Sequence, residues 1–222
     1  MDAEEIITSI KSIYDRFSVM PNLQEHMFRV AAVGSLICDN WTGPEINSNL
    51  IISVLLVHDL GNIVKFRLDT PESERMIKDF GGEGTDWTKV QEDTKKRYGA
   101  NDHAATRNMV IGLGVSKRFL QLLDGTAKLY HSVDEVLRTD DLELKLCCYP
   151  DERVGPYGVI SAKQRLDDLI NRYKDNKEKL ETYSKIAGTV PEFEQQLFRH
   201  IRIRPEQIND ETVMPYMQKL KH

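Results

Sequence analysis

The chain is poor in several things, and each shortage removes a class of protein. Among 222 residues there are 3 cysteines, Cys38, Cys147 and Cys148. An odd number, two of them adjacent, builds no disulfide framework and no Cys-x-x-Cys metal knuckle. A reducing, cytoplasmic setting is the simplest expectation. Basic charge is also short: the formal net charge is -5, so binding to a nucleic-acid duplex, which needs basic surface, is not expected. The main apolar run, Leu50 to Val57, falls far below the roughly 20 residues a membrane helix requires, so no membrane is expected either. The opening Met1-Asp2-Ala3-Glu4-Glu5 is acidic and does not read as a signal peptide. Gly81-Gly82-Glu83-Gly84 has no Lys-Ser/Thr after it and no strand before it. It is therefore not a phosphate loop of the nucleotide-triphosphatase kind and reads as a loop able to close over a pocket.

What is present is helical periodicity. Hydrophobic residues make up 40% and charged residues 29%, a balance that supports a packed core. Ile6, Ile7, Ile10, Ile13, Tyr14 and Phe17 follow a 3.6-residue spacing, which predicts one helix. Pro21 opens a second, and Pro44 suits the first turn of a third that ends or bends at Gly61. Pro71 to Asp93 reads as a loop with one short helix. Asn101 or Asp102 and then Ser116 are cap candidates for the helices that follow. Ser161 and Gln164 form a capping box for a long charged helix running to about Tyr183. A last helical part, Pro191 to Leu220, is expected to break near Pro205 and Pro215. No strand pair and no repeat is visible. The expectation is an all-α fold in a single domain spanning 1-222, with a core over about 20-175 and a C-terminal helical appendage over about 190-220. A long charged helix leaves a homodimer open.

The most informative residues are Val57-His58-Asp59-Leu60. They place an imidazole and a carboxylate side by side at the end of an apolar helix, which is costly without a partner. A divalent cation is the obvious partner. His26, on the preceding helix pattern, and Asp151, in Tyr149-Pro150-Asp151-Glu152-Arg153, complete a candidate set of two imidazoles and two carboxylates. A lone histidine on an apolar helix is more often a satisfied core residue than a ligand. It is the ordered combination that carries the signal. Such a mixed nitrogen and oxygen set suits Mn, Fe, Co, Ni, Zn or Mg.

The order His26, then His58-Asp59, then Asp151 resembles that of the HD superfamily of metal-dependent phosphohydrolases. The likeness runs from about Leu23 to Tyr173. It implies a helical bundle, one divalent ion or two, and cleavage of a phosphomonoester or phosphodiester of a small molecule, a nucleotide first among them. It also implies that His103 and His131, lying between His58-Asp59 and Asp151, are further ligands, with Asp59 bridging a second ion. Asn62, Lys65, Lys163 and Arg165 are candidates for the substrate phosphate. Asp59, Lys65 and Arg153 are candidates for the chemistry, Arg because it grips phosphate in bidentate fashion. One departure stands out. Many HD hydrolases carry a glutamate shortly after His-Asp, and here Gly61-Asn62 stands instead. That leaves open an alternative, a metal- and nucleotide-binding regulatory protein with little turnover. A helical interaction module without metal is the third reading.

Overall fold

The computed structural model describes residues 1-222. Thirteen α-helices and no strands make the chain all-α. The helices are α1 (Ala3–Thr8), α2 (Ile10–Arg16), α3 (Pro21–Asp39), α4 (Ser48–Val57), α5 (Pro71–Asp79), α6 (Trp87–Tyr98), α7 (Asp102–Ile111), α8 (Lys117–His131), α9 (Val133–Arg138), α10 (Leu142–Cys148), α11 (Ala162–Arg172), α12 (Lys177–Phe198) and α13 (Asp210–Lys221). Short 3-10 turns follow α4 at Asn62–Lys65 and α10 at Asp151–Arg153.

The centre is α3 packed on α4. Both are buried nearly all round: Val30, Ala31, Val33 and Ile37 on one, Ile51, Val54, Leu55 and Leu56 on the other, are fully out of solvent. A helix that is apolar on every face belongs inside a core. The two backbones approach closely at Gly34, where a Cβ would lie 2.3 Å from Leu55 Cδ1. The apolar window Ser48–Lys65 is occupied by this packing, 72% of it being buried. Around the pair, α13 lies on α3, α1 on α4, and α10 bridges α4 and α8. One continuous buried cluster runs from Ile6 to Met217.

Local chemistry explains the element borders. Asn101 caps α7, Ser116 caps α8 and Ser161 with Gln164 closes the capping box of α11, as the sequence predicts. Five borders differ. Pro44 does not open the third helix: Asn47 caps it, its side chain accepting from Leu50 N, and α4 begins at Ser48. The first helix breaks at Ser9 into α1 and α2. Pro71 to Asp93 holds α5 and the start of a second helix, α6, each with a side-chain N-cap, Thr70 and Asp86. The helix from Ser161 stops at Arg172, because Asn176 caps a new one, α12. Pro191 and Pro215 lie inside α12 and α13 without breaking them. An interior proline costs about 3 kcal/mol, and the flanking burial of Ile186, Phe193 and Leu197 in α12, and of Val213 and Met217 in α13, offsets it.

Candidate metal centre

Three structural elements converge to make the site. His26 comes from the second turn of α3. His58 is the C-cap of α4, still in α-helical conformation at φ -61°, ψ -23°. Asp59 follows in the turn, and Asp151 opens the 3-10 turn behind α10. His26 Nε2 lies 3.1 Å from Asp151 Oδ1 and 3.7 Å from Asp59 Oδ2. His58 Nε2 lies 3.8 Å from each of the same two oxygens. Ligands about 2.1 Å from a shared ion stand roughly 3.0–3.5 Å apart; the His26–Asp151 spacing falls in that range and the other three are a few tenths of an ångström wider. The ligand atoms of His26, His58 and Asp151 all lie within 4.8 Å of one another and could hold a metal ion; Asp59 approaches both imidazoles but is not part of that group.

Two observations test that fit. His58 Nδ1 is 2.8 Å from Leu55 O. A carbonyl only accepts, so Nδ1 carries the hydrogen and the Nε2 lone pair of the neutral ring faces the site. This backbone contact orients the ring as ligand imidazoles are usually oriented. Second, His58 Nε2 and Asp151 Oδ1 are buried and have no hydrogen-bond partner. Asp151 Oδ1 lies 3.1 Å from His26 Nε2 and 3.8 Å from His58 Nε2, within ion-pairing distance but without hydrogen-bond alignment. Buried polar atoms are normally satisfied, and a cation at their meeting point satisfies both.

The charges agree. Burial alone would push the His58 imidazole down, yet the Asp59 and Asp151 carboxylates raise it to about 9. Burial would raise the Asp151 carboxyl, but His26 and His58 hold it well below the usual carboxylate range. The pocket is thus built for a negative carboxylate against a positive group, and a cation can take that place.

The turn carrying Asp59 is pinned from below. Gly61 N–H donates to Thr106 Oγ1 at 3.0 Å. A Cβ at Gly61 would sit 2.5 Å from Thr106 N and 2.7 Å from Ala105 Cβ. The glycine is there for close approach to α7, whose first turn holds Asp102 and His103. Asn62 is buried in the following 3-10 turn.

The remaining sequence candidates divide. His103, at the start of α7, and His131, at the end of α8, face one another edge to face with ring centroids 6.0 Å apart. Burial lowers the His103 pKa, with Asp102, Lys65 and Asp59 among the charges acting on it. The pair is brought together but lies outside the His26, His58 and Asp151 group. Lys65 is half-exposed and bonded to Asp102 Oδ2 at 2.8 Å, so its charge is shared with a carboxylate. Arg165 is mostly buried, and its guanidinium acts on Asp151, Glu152 and Tyr130.

Two expectations are corrected. Arg153 does not serve the site. It is 2% exposed, and its guanidinium donates to Ile160 O, Tyr149 Oη, Pro205 O and Ile208 O at 2.7–3.0 Å. Every nitrogen is committed, and Nη2 ties the segment before α13 to the core. Lys163 is 80% exposed and pairs with Asp167, one turn along the surface of α11.

Sequence reasoning missed Tyr130 and Glu152. Tyr130 Oη is 3.0 Å from Asp151 Oδ2 and 2.7 Å from Glu152 Oε1. A phenol has one hydrogen to donate. Both contacts are hydrogen bonds only if Glu152 carries a proton. Burial and the Asp151 charge raise the Glu152 carboxyl to about 7. Burial also raises Tyr130, which stays a phenol. Adjacency to His131 and Asp151 was the only signal for either residue. Asn22 Oδ1, one turn before His26 on α3, is a further buried oxygen without a partner.

Compared with models of known protein families, with curated proteins and with solved structures, the chain matches none.

Proposed function

We propose that this chain is a metal-dependent phosphohydrolase of the HD type, cleaving a phosphomonoester or phosphodiester of a small molecule, with a nucleotide as the leading substrate class. The observation that carries the reading is the convergence of His26, His58, Asp59 and Asp151 around buried, unpartnered ligand atoms. A divalent ion bound there supplies Lewis-acid polarisation of a phosphoryl oxygen and lowers the pKa of water. The chain's own groups do the rest. Leu55 O fixes the His58 ring. Tyr130 holds one oxygen of Asp151. Lys65 and Arg165 carry charges that act on these carboxylates, and they are our candidates to meet the negative oxygens of a phosphate. Glu152, whose carboxyl burial and the Asp151 charge raise to about 7, keeps a hydrogen for the Tyr130 oxygen and so leaves the phenol free to donate to Asp151. His103 and His131 are candidate ligands of a second ion.

A second reading, a metal- and nucleotide-binding regulatory protein, draws on Gly61-Asn62 after His-Asp and on Lys65 being engaged by Asp102. One experiment separates the two. Elemental analysis and a thermal melt with added Mn, Ni, Zn or Mg are followed by turnover of a panel of phosphomonoesters and phosphodiesters. An ion at one hundred times its Kd stabilises by about 2.7 kcal/mol, a Tm rise of roughly 5–11 °C for a domain of this size. Asp59→Ala should lose that rise and about 10²–10⁴ of the turnover. Metal uptake without turnover of any substrate favours the regulatory reading, and no uptake by wild type refutes both.

A further inference from the structure

Asp151 uses its two carboxylate oxygens differently. Oδ1 is buried, unpartnered and 3.1 Å from His26 Nε2. Oδ2 faces the other way and receives Tyr130 Oη at 3.0 Å. Tyr130 is in turn held in place. Its oxygen is 2.7 Å from Glu152 Oε1, and its ring meets Tyr183 edge to face at 6.2 Å between centroids. Tyr183 stacks on Tyr173 at 5.6 Å and 27°, and Lys179 Nζ covers Tyr173 at 4.1 Å. The phenol is thus fixed at one end by two carboxyls and at the other by α12 and the turn after α11.

From this geometry we infer that Tyr130 is a positioning residue that makes Asp151 a one-oxygen ligand, by occupying Oδ2 and leaving Oδ1 alone to face the ion. The inference rests on the metal reading above and adds to it a residue that never touches the ion or substrate. The reason is competition for lone pairs. A carboxylate free at both oxygens can close on a cation through both. One whose second oxygen already accepts a charge-assisted hydrogen bond is held to one contact. Outer partners of this kind set ligand orientation, and their loss typically weakens metal binding 10- to 100-fold. The distant end of the ladder, Tyr183 and Lys179 on α12, thereby shares in fixing Asp151.

The test uses the full chain loaded with Co²⁺, whose visible absorption reports coordination number, beside Mn²⁺ titrations for affinity. Tyr130→Phe keeps the ring and removes only the oxygen. It should bind Mn²⁺ at least about tenfold more weakly and change the intensity of the Co²⁺ bands, with the helical circular dichroism of wild type. Glu152→Gln serves as the second variant, since its amide can still donate to the phenol oxygen while Tyr130 donates to Asp151. It should keep the Co²⁺ spectrum and an affinity within about twofold of wild type. A Tyr130→Phe protein that is folded and shows the wild-type spectrum and affinity overturns the inference while leaving the metal reading standing. So does a Glu152→Gln spectrum altered as in Tyr130→Phe, because the change would then follow the Glu152–Tyr130 contact rather than the bond from Tyr130 to Asp151. No uptake of either ion by wild type overturns the metal reading, and the role of Tyr130 with it.

Discussion

Replacing Arg153 with leucine should unfold part of the molecule before it affects chemistry. The guanidinium is buried and makes four hydrogen bonds, to Ile160 O at 2.7 Å, Tyr149 Oη at 2.8 Å, Pro205 O at 3.0 Å and Ile208 O at 2.9 Å. Tyr149 Oη passes its own hydrogen to Glu194 on α12, at 2.6 Å. One side chain therefore joins the turn behind α10, the strand-like segment at Ile160, α12 and the approach to α13. Leucine leaves Ile160 O, Ile208 O and the Tyr149 phenol oxygen without this donor, while Pro205 O keeps the Ile208 N–H at 3.1 Å. Each orphaned group costs about 1–3 kcal/mol, and shared partners and water entry make the sum less than additive. The expected loss is about 3–5 kcal/mol, a large share of a typical domain's stability. Urea denaturation followed by circular dichroism measures it, with Tm falling by roughly 6–20 °C. Lysine should rescue little, since a point charge cannot serve four acceptors spread over a planar fork. A loss below about 1 kcal/mol, or normal stability with impaired turnover, would refute the structural role and return Arg153 to the site.

Two further perturbations probe the supports of the centre. Gly61→Ala puts a methyl 2.5 Å from Thr106 N and 2.7 Å from Ala105 Cβ. It should cost about 1–3 kcal/mol by overpacking and weaken metal binding by moving the Asp59 turn off α7. Calorimetric titration beside a thermal melt reads both, and an unchanged Kd would show that the turn is not held there. Asp141 caps α10, accepting from Leu144 N, and takes a bidentate grip from Arg118 at 2.7 and 2.8 Å. The Arg118 hydrogen bonds hold its carboxyl below the usual range. A depressed carboxyl stabilises above its unfolded value, near pH 4, and that stability is lost as pH falls through the folded value. Asp141→Asn keeps the cap and loses the charge. It should cost about 0.5–1 kcal/mol at pH 7, the pair being partly exposed, and the gap should close in denaturation curves below about pH 3. A pH-independent gap would mean the cap, not the ion pair, was damaged.

The all-α fold was readable because nearly every element carries its own instructions. Asn101, Ser116 and Ser161 announced helix starts through side chains that accept from the next turn, and apolar spacing gave the buried faces. The misplaced borders were decided elsewhere. Nothing local breaks the pattern at Ser9. Nor does the charged run after Arg172 reveal that Asn176 caps a new helix. Pro191 and Pro215 are locally unfavourable in a helix and are overruled by the core residues on either side. Tertiary packing outvotes propensity in each case.

The metal-ligand candidates were legible for a related reason. A histidine and an aspartate at the end of an apolar helix contradict their surroundings, and contradiction of this kind points to function. The wall of the site was not legible, because sequence adjacency says little about direction. Arg153 follows Asp151 by two residues in a 3-10 turn. At three residues per turn, side chains two apart point about 120° away from each other. Asp151 therefore faces His26 while Arg153 faces the approach to α13. Lys163 was drawn in by the same reasoning, yet one helical turn carries it to Asp167 on the surface. Tyr130 was passed over because its partner lies 21 residues further along, and no local spacing connects them. The candidate ion site is encoded in the oddness of single residues. Its geometry is encoded in contacts between elements, and only folding brings those together.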